Sequence, residues 1–548
     1  MKRILLSILA LALCAGGSPA AGQPRREDHG DLIVLHLYGS YQEMGRQQAE
    51  LIGPELRAVY ELQCGDRERA MARASSGMRL MDRFLLPLWS GIGPLYEESG
   101  FHDELGGIAD GLGVKRRDLM RAVFTLTAGS TVFAATRSAT ADGRALIGRN
   151  VDWNDGGGRR RPLLVHYHPS NGDLAYLFAG WPLVGLPTVG LNEAGFALSF
   201  NFFVSEPRVG YAFPQWPHRR ALQRAASVEE GIRIFEETRL RGISTFMVMA
   251  DAAGEIAMVE CTPDACAVFR PEGDWFGQAN HARTEAMIPH DGYRSPDSFE
   301  RRAAMESAVQ PHLGRLTPEV AAQILRDRAN SRYANASTVA NLAVLNATVV
   351  HPAKGLLWHS TAMQPHAPFG EYLPFSPRGD APDAPSLAAD PRFEAGELRS
   401  EAEVVAEARR AAELAGAGSF AEAAALLDRL AASPESPLDP ARLAWERARL
   451  RWSQGRLEEA YEILGELEAP DRPYEVRAHG LVMRAVLADR LGRREDALRL
   501  YETARTHLAE HPEFNVFGDL HQRISLGLQA QETSGPLPET PDLMLIPR

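Results

Sequence analysis

The chain has 548 residues, enough for two or three domains, and its 45% apolar and 24% charged residues are those of an ordinary globular protein. A net charge of -12 at pH 7, spread along the sequence, argues against nucleic acid as a partner, because such binders carry a basic footprint. Beyond the N-terminal segment no apolar run has transmembrane length, so no transmembrane segment is expected in the mature chain.

Residues 1–22 read as a secretory signal. Lys2 and Arg3 form its charged start, Ile4 to Ala15 its apolar run, and Ser18-Pro19-Ala20-Ala21 its small-residue cleavage region. The expected location is therefore periplasmic or secreted. Leu13 precedes Cys14 where a lipoprotein signal places a small residue, which disfavours a lipid anchor.

Asp31–Leu37 reads as a short strand, and Ser40-Tyr41-Gln42-Glu43 as a capping box opening a helix. Helical pattern continues to about Leu126, broken by glycines around Ile108-Ala109-Asp110. From Ser130 short β-prone runs alternate with turns, at Ala145–Val151, Leu163–His168, Leu174–Phe178, Ala197–Phe203, Thr245–Ala250, Ile256–Glu260 and Leu345–His351. Helical stretches interrupt them at Ser227–Arg239 and Pro318–Asp327, which predicts an α+β layered domain over residues 23–375. Cys261 and Cys266 flank a predicted hairpin turn and read either as a disulfide suited to an oxidising compartment or as two packed thiols.

Residues 376–396, rich in Pro, Asp and Ala, read as a linker. Residues 397–535 are helical and repetitive, before a tail at 536–548. Gly418-Ser-Phe-Ala-Glu-Ala423, Gly455-Arg-Leu-Glu-Glu-Ala460 and Gly492-Arg-Arg-Glu-Asp-Ala497 share one pattern at a spacing of 37 residues. This resembles tetratricopeptide repeats, whose period is about 34 residues. Such solenoids build concave surfaces, so the repeats are a candidate site for a protein or peptide partner.

The chemistry concentrates at Gly129-Ser130 and at Arg149 and Asp152 in the following strand. A cut before Ser130 places a hydroxyl nucleophile and a free amine on one residue, and the amine then serves as the base. Arg149 and Asp152, three apart, point to opposite faces of a strand unless a bend intervenes. Thr131 is a rival nucleophile one residue later, and a structural salt bridge is the alternative reading of Arg149 and Asp152. Other patterns are absent: there is no Gly-x-Ser-x-Gly elbow, no His-Glu-x-x-His, no paired Cys-x-x-Cys and no phosphate loop, so neither metal nor cofactor is expected. His166 and His168 share a strand face but make a thin case for a metal, and Asp155-Gly-Gly-Gly-Arg-Arg-Arg161 reads as a solvated turn or a basic loop facing an anionic substrate.

Seven short motifs in order carry a family resemblance. They are Gly39-Ser-Tyr-Gln-Glu-Met-Gly45, Gly106-Gly-Ile-Ala-Asp-Gly111, Thr140-Ala-Asp-Gly143, Gly148-Arg-Asn-Val-Asp-Trp153, Gly190-Leu-Asn-Glu-Ala-Gly195, Ala279-Asn-His281 and Ser298-Phe-Glu-Arg301. Over roughly Asp31 to Ala362 the chain resembles the peptidase C45, or acyl-coenzyme A:6-aminopenicillanate acyltransferase, family of N-terminal-nucleophile hydrolases. The resemblance implies a four-layer αββα core and self-cleavage between Gly129 and Ser130. It also implies that Arg149 and Asp152 both approach the nucleophile, with Asp152 holding the new ammonium and Arg149 orienting its surroundings. Asn280 is the preferred oxyanion donor, with Asn192 in support or capping a turn, and Arg301 matches a site arginine of the family. His281 reads as a structural neighbour, since the amine already fills the role of base. The family normally has Cys where this chain has Ser130.

The expected activity is that of an exported, self-cleaving amidohydrolase or acyltransferase acting on a small acyl amide through a seryl acyl-enzyme. The alternative is a catalytically disabled member acting as a scaffold through its helical repeats.

Overall fold

The structure, a computed structural model, describes residues 22–73, 100–123, 129–153, 157–183, 188–205, 215–238, 244–329, 337–433, 436–470, 472–516 and 518–532. The signal segment up to residue 21, Ala128, Asp155 and the tail at 536–548 lie outside the described residues.

In chain order β1 (Arg25–His29) and β2 (Leu32–Gly39) precede helices α1 (Tyr41–Arg73), α2 (Phe101–Leu112) and α3 (Arg116–Val123). Strands β3 (Gly129–Ala135), β4 (Leu146–Asp152), β5 (Leu163–Pro169), β6 (Tyr176–Gly180), β7 (Val189–Asn192) and β8 (Phe196–Asn201) follow. Helices α4 (Gln215–Arg224) and α5 (Val228–Glu237) lead to β9 (Thr245–Asp251), β10 (Ile256–Cys261), β11 (Cys266–Phe269) and β12 (Trp275–Gln278). Then come α6 (Pro296–Val309), α7 (Pro318–Leu325), β13 (Val344–His351), β14 (Leu356–Ser360) and β15 (Tyr372–Phe375).

Among the described residues these strands form two sheets. One runs β1-β2-β5-β6-β7-β8-β9-β10-β11, and the other β12-β3-β4-β13-β14-β15. All pairings are antiparallel except β2 with β5. Side-chain alternation sorts the core into layers. Leu32 and Val34 of β2 meet Val132, Ala134 and Ile147 of the second sheet between the sheets. Ile33, Leu35 and Leu37 face the opposite way, onto α1, α2, α4 and α5. Phe133, Ala135 and Leu146 pack outward against α6 and α7. The result is the expected αββα stack. Because its inner strands are covered on both faces, runs such as Met247-Val248-Met249-Ala250 are apolar throughout rather than alternating.

The capping box forms as read: the Ser40 N–H and hydroxyl both donate to Glu43 Oε2, at 2.8 and 2.7 Å. Helix α1 is broken at Ile52, two residues before Pro54. The glycines of the first two motifs let α1 and α2 cross closely, since a Cβ on Gly45 would strike the Glu104 backbone and one on Gly107 the Gln42 backbone. Cys261 and Cys266 face one another across the β10–β11 hairpin and are joined by a disulfide.

Residues 376–396 run along the domain surface. Leu387 and Tyr372 exchange two backbone hydrogen bonds, and Asp390 N–H donates to Phe369 O. Beyond them lie helices α8 (Arg399–Gly416), α9 (Phe420–Ala432), α10 (Pro440–Ser453), α11 (Leu457–Gly465), α12 (Tyr474–Arg490), α13 (Arg494–Ala509) and α14 (Gly518–Gln529). Gly418, Gly455 and Gly492 stand in the three α8–α9, α10–α11 and α12–α13 turns with φ of 82°, 74° and 78°, a left-handed conformation that favours glycine and explains their regular recurrence. Successive helices pack on one another, and α10, α12 and α14 touch in turn. No helix among the described residues is long and apolar enough to cross a membrane.

Candidate active site

Strands β3 and β4 pair so that Ser130 lies opposite Val151 and Val132 opposite Arg149. Ser130 and Arg149 therefore share the face turned toward the other sheet. Arg149, 1% exposed, donates from Nη2 to Ser130 Oγ at 2.8 Å. Its guanidinium also donates to Thr188 O and Phe200 O of the facing sheet. The planar fork thus spans the gap between the sheets and ends on the hydroxyl. Burial pushes the Arg149 guanidinium down to about 9, with nearby Asp152 pulling the other way.

Asp152 projects from the opposite face, as strand alternation dictates. It is fully buried, and its Oδ2 lies 3.4 Å from Arg301 Nε on α6. Burial raises its carboxyl to about 6, although Arg301, Asn341 and Arg149 all favour the charged form. Arg301 is a helix-borne bridge rather than a surface residue. Its Nη1 contacts Asp297 Oδ2 one turn earlier at 3.1 Å, and its Nη2 donates to Asn280 Oδ1 at 2.8 Å. The same Asn280 oxygen accepts the Ser130 N–H at 2.6 Å, while Asn280 Nδ2 donates to Phe202 O at 2.8 Å. Ser130 is therefore gripped at two atoms, its hydroxyl by Arg149 and its nitrogen by Asn280.

Several expectations change. Asn280 presents its carbonyl to the Ser130 N–H and donates from Nδ2 to Phe202 O. Asn192 stands elsewhere. Its Nδ2 donates to Leu222 O and Ala225 O at 2.9 and 2.7 Å, and its Oδ1 accepts from Ala194 N and Phe196 N. These contacts tie a turn to α4, which is the turn-capping alternative. Thr131 pairs with Asn150 and faces α7, away from Arg149, so the two hydroxyls are separated by the sheet itself.

His281 is buried, with Nδ1 2.8 Å from Ser298 Oγ and its ring stacked on Phe299. Burial, with arginines around it, holds its pKa well below the usual range, which keeps it neutral. In the basic loop, Arg160 is buried against Trp153 and pairs with Asp66 at 3.4 Å, and Arg161 bonds to Asp31 O. Both face inward, which leaves Arg159 as the exposed cation of that run. His166 stacks with His36 and with His168, His168 stacks on Tyr38, and no metal-binding group is found among the described residues.

One residue escaped the sequence reading. Asn201 ends β8, fully buried, and donates from Nδ2 to Ala279 O at 2.9 Å while its Oδ1 has no partner. Its neighbours Phe200 and Phe202 supply the carbonyls that Arg149 and Asn280 use. An asparagine closing an apolar strand was the available signal.

Residues 139–360 match the family described as acyl-coenzyme A:6-aminopenicillanic acid acyl-transferase. An N-acylethanolamine-hydrolyzing acid amidase ortholog from Caenorhabditis elegans is similar at 16% identity and a TM-score of 0.32, over 41% of this chain and 93% of that one. A conjugated bile acid hydrolase from Clostridium perfringens, in two variant structures, is similar at 14% identity and a TM-score of 0.30, over 42% of this chain and 88% of that one. No curated protein matches the sequence. The chain thus carries an N-terminal-nucleophile hydrolase domain of the acyltransferase family, followed by an all-helical region.

Proposed function

From that family domain we infer that the protein is an exported, self-processing amidohydrolase with Ser130 as its nucleophile. In processing, Ser130 Oγ adds to the Gly129 carbonyl carbon and its proton passes to the Ser130 nitrogen as the C–N bond breaks. Water then hydrolyses the resulting ester, giving the Gly129 carboxylate and restoring the hydroxyl on a residue with a free α-amine. That amine, with an ordinary pKa of about 7.7–8.0, accepts the hydroxyl proton when Ser130 attacks a substrate amide. It returns the proton to the leaving amine, and water or an amine acceptor takes the acyl group from Ser130. Arg149 favours the developing oxygen anion, and Asn280 with Asp152 favours the ammonium.

The observation that carries this reading is the double grip on one residue, 2.8 Å at the hydroxyl and 2.6 Å at the nitrogen. A serine hydroxyl is a weaker nucleophile than a thiol, and a buried arginine at the oxygen is the compensation the site supplies. Export favours hydrolysis over transfer, since acyl-coenzyme A is not expected outside the cytoplasm. Residues 376–396 are proposed as the connection to a tetratricopeptide-like unit.

Intact-mass spectrometry of the wild type beside Ser130→Ala tests the reading. The wild type should yield a fragment beginning at Ser130, and the variant should stay whole. A wild type that remains uncut after long incubation near neutral pH would instead support the disabled scaffold.

A further inference from the structure

The helical array lies against the element that holds the Ser130 nitrogen. The turn between α13 and α14 carries Phe514 and Asn515. Asn515 Nδ2 donates to Asp291 O at 2.6 Å, and its Oδ1 accepts the Arg294 N–H at 2.7 Å. Arg294 Nε also donates to Glu513 O at 3.0 Å, and its guanidinium lies over the Phe299 ring. Phe514 meets Phe299 edge to face, with ring centroids 5.4 Å apart. Phe299 in turn stacks on His281, with centroids 3.9 Å apart.

From there the contacts reach the nucleophile. His281 Nδ1 is 2.8 Å from Ser298 Oγ, and the same oxygen accepts the Asn280 N–H at 2.8 Å. Asn280 Oδ1 accepts the Ser130 N–H. Asp291, held by Asn515 at its carbonyl, also accepts the Ala282 N–H at 2.7 Å, which fixes the loop on the far side of Asn280. A second contact runs from α8: Arg409 donates to Gln364 Oε1 at 2.8 Å, and Gln364 Nε2 donates to Trp153 O, next to Asp152, at 2.6 Å. Helix α12 adds Glu475, buried where Asp297 and Arg442 dominate its charge environment. A module that only displayed a concave surface to partners would not need to seat its turn on the Asn280 loop.

We infer that the helical array is a working part of the catalytic centre, and that Phe514 and Asn515 are positioning residues for Asn280 and, through it, for the Ser130 nitrogen. This rests on the Ser130 reading above. Once the amine is free, the Asn280 carbonyl favours its charged form. Loosening Asn280 therefore lowers the pKa of the amine and weakens its orientation toward the hydroxyl.

The test uses the full chain and a β-lactone that acylates an N-terminal serine, with label uptake on Ser130 followed by mass across pH. Asn515→Ala and Phe514→Ala should each slow acylation by about three- to ten-fold and move the acid limb to lower pH. Phe514→Tyr, which keeps the aromatic edge, should restore both. Leu526→Ala, at an exposed position on α14, should match the wild type. Asn515 is itself exposed, so its variant keeps the comparison valid if Phe514→Ala fails to fold. Wild-type rates and pH midpoints in folded Asn515→Ala would overturn the positioning role while leaving the Ser130 chemistry intact. A wild type that neither cuts itself nor takes the label would overturn both.

Discussion

Arg149 and Asp152 sit three residues apart, yet they serve opposite faces of one strand. Arg149 reaches inward to Ser130 Oγ, and Asp152 reaches outward to Arg301. The two sides meet only at the strand end, where Gly129 pairs with Asp152 and the Ser130 nitrogen meets Asn280. The buried Asp152 carboxyl has a pKa of about 6, raised from an ordinary value near 3.8. The folded chain therefore holds a proton that the unfolded chain loses as pH rises through this window. In uncut Ser130→Ala protein this makes stability fall between about pH 4 and pH 6, by on the order of 2–3 kcal/mol. Asp152→Asn in the same background should flatten that slope, read from urea unfolding midpoints at the two ends of the window. A slope that survives in the variant would assign it to another group.

At the scale of elements, the motif glycines and asparagines act mainly through packing. Gly45 and Gly107 allow two helices to cross, and Asn192 ties the β7–β8 turn to α4. Asn192→Ala leaves several buried backbone groups without partners, a loss of about 2–4 kcal/mol. The acylation rate per folded molecule should nonetheless stay within about two-fold of wild type, since the residue touches neither Ser130 nor its partners. Thermal melting beside β-lactone labelling separates the two effects, and a normal melt with a large rate loss would return Asn192 to the site. Strands such as β2, β9, β10 and β13 were legible because burial on both faces demands strong apolar runs, whereas the buried β3, β7 and β14 were not named as strands. Strands β1, β12 and β15 were not, since they are edge strands with partly exposed or polar residues and depend on neighbours for their conformation.

Across the whole molecule, the helical array and the catalytic layers share buried surface. Leu342, just before β13, packs into the cluster formed by Val405, Leu427 and Leu443. Arg328 and Glu401 pair at 2.8 Å with both side chains mostly buried. A chain ending at residue 396 would expose Leu342 and Phe299 and strand Arg328. It should give a lower melting temperature than the full chain and little cleavage at Ser130, read by calorimetry and intact mass. Full stability and full cleavage of the truncated chain would make the array an independent module.

The sequence by itself determined an α+β layered domain, the helical repeat and the order of the motifs, and the family resemblance those motifs carry implied the αββα core and pointed to Ser130, Arg149, Asp152, Asn280 and Arg301. Those features are written in local signals: hydrophobic period, turn glycines that need a left-handed backbone, and motif order. Only the tertiary structure decided what each side chain contacts. Asn280 faces Ser130 with its oxygen, Asn192 ties a turn to α4, and Asn201 bonds to the Ala279 carbonyl beside Asn280. The seating of Phe514 and Asn515 on the Asn280 loop was likewise beyond sequence reading. The reason is physical. Local propensity acts over a few residues, whereas these contacts join groups from 30 to 224 residues apart, and only the pairing of strands and the packing of layers brings them within reach.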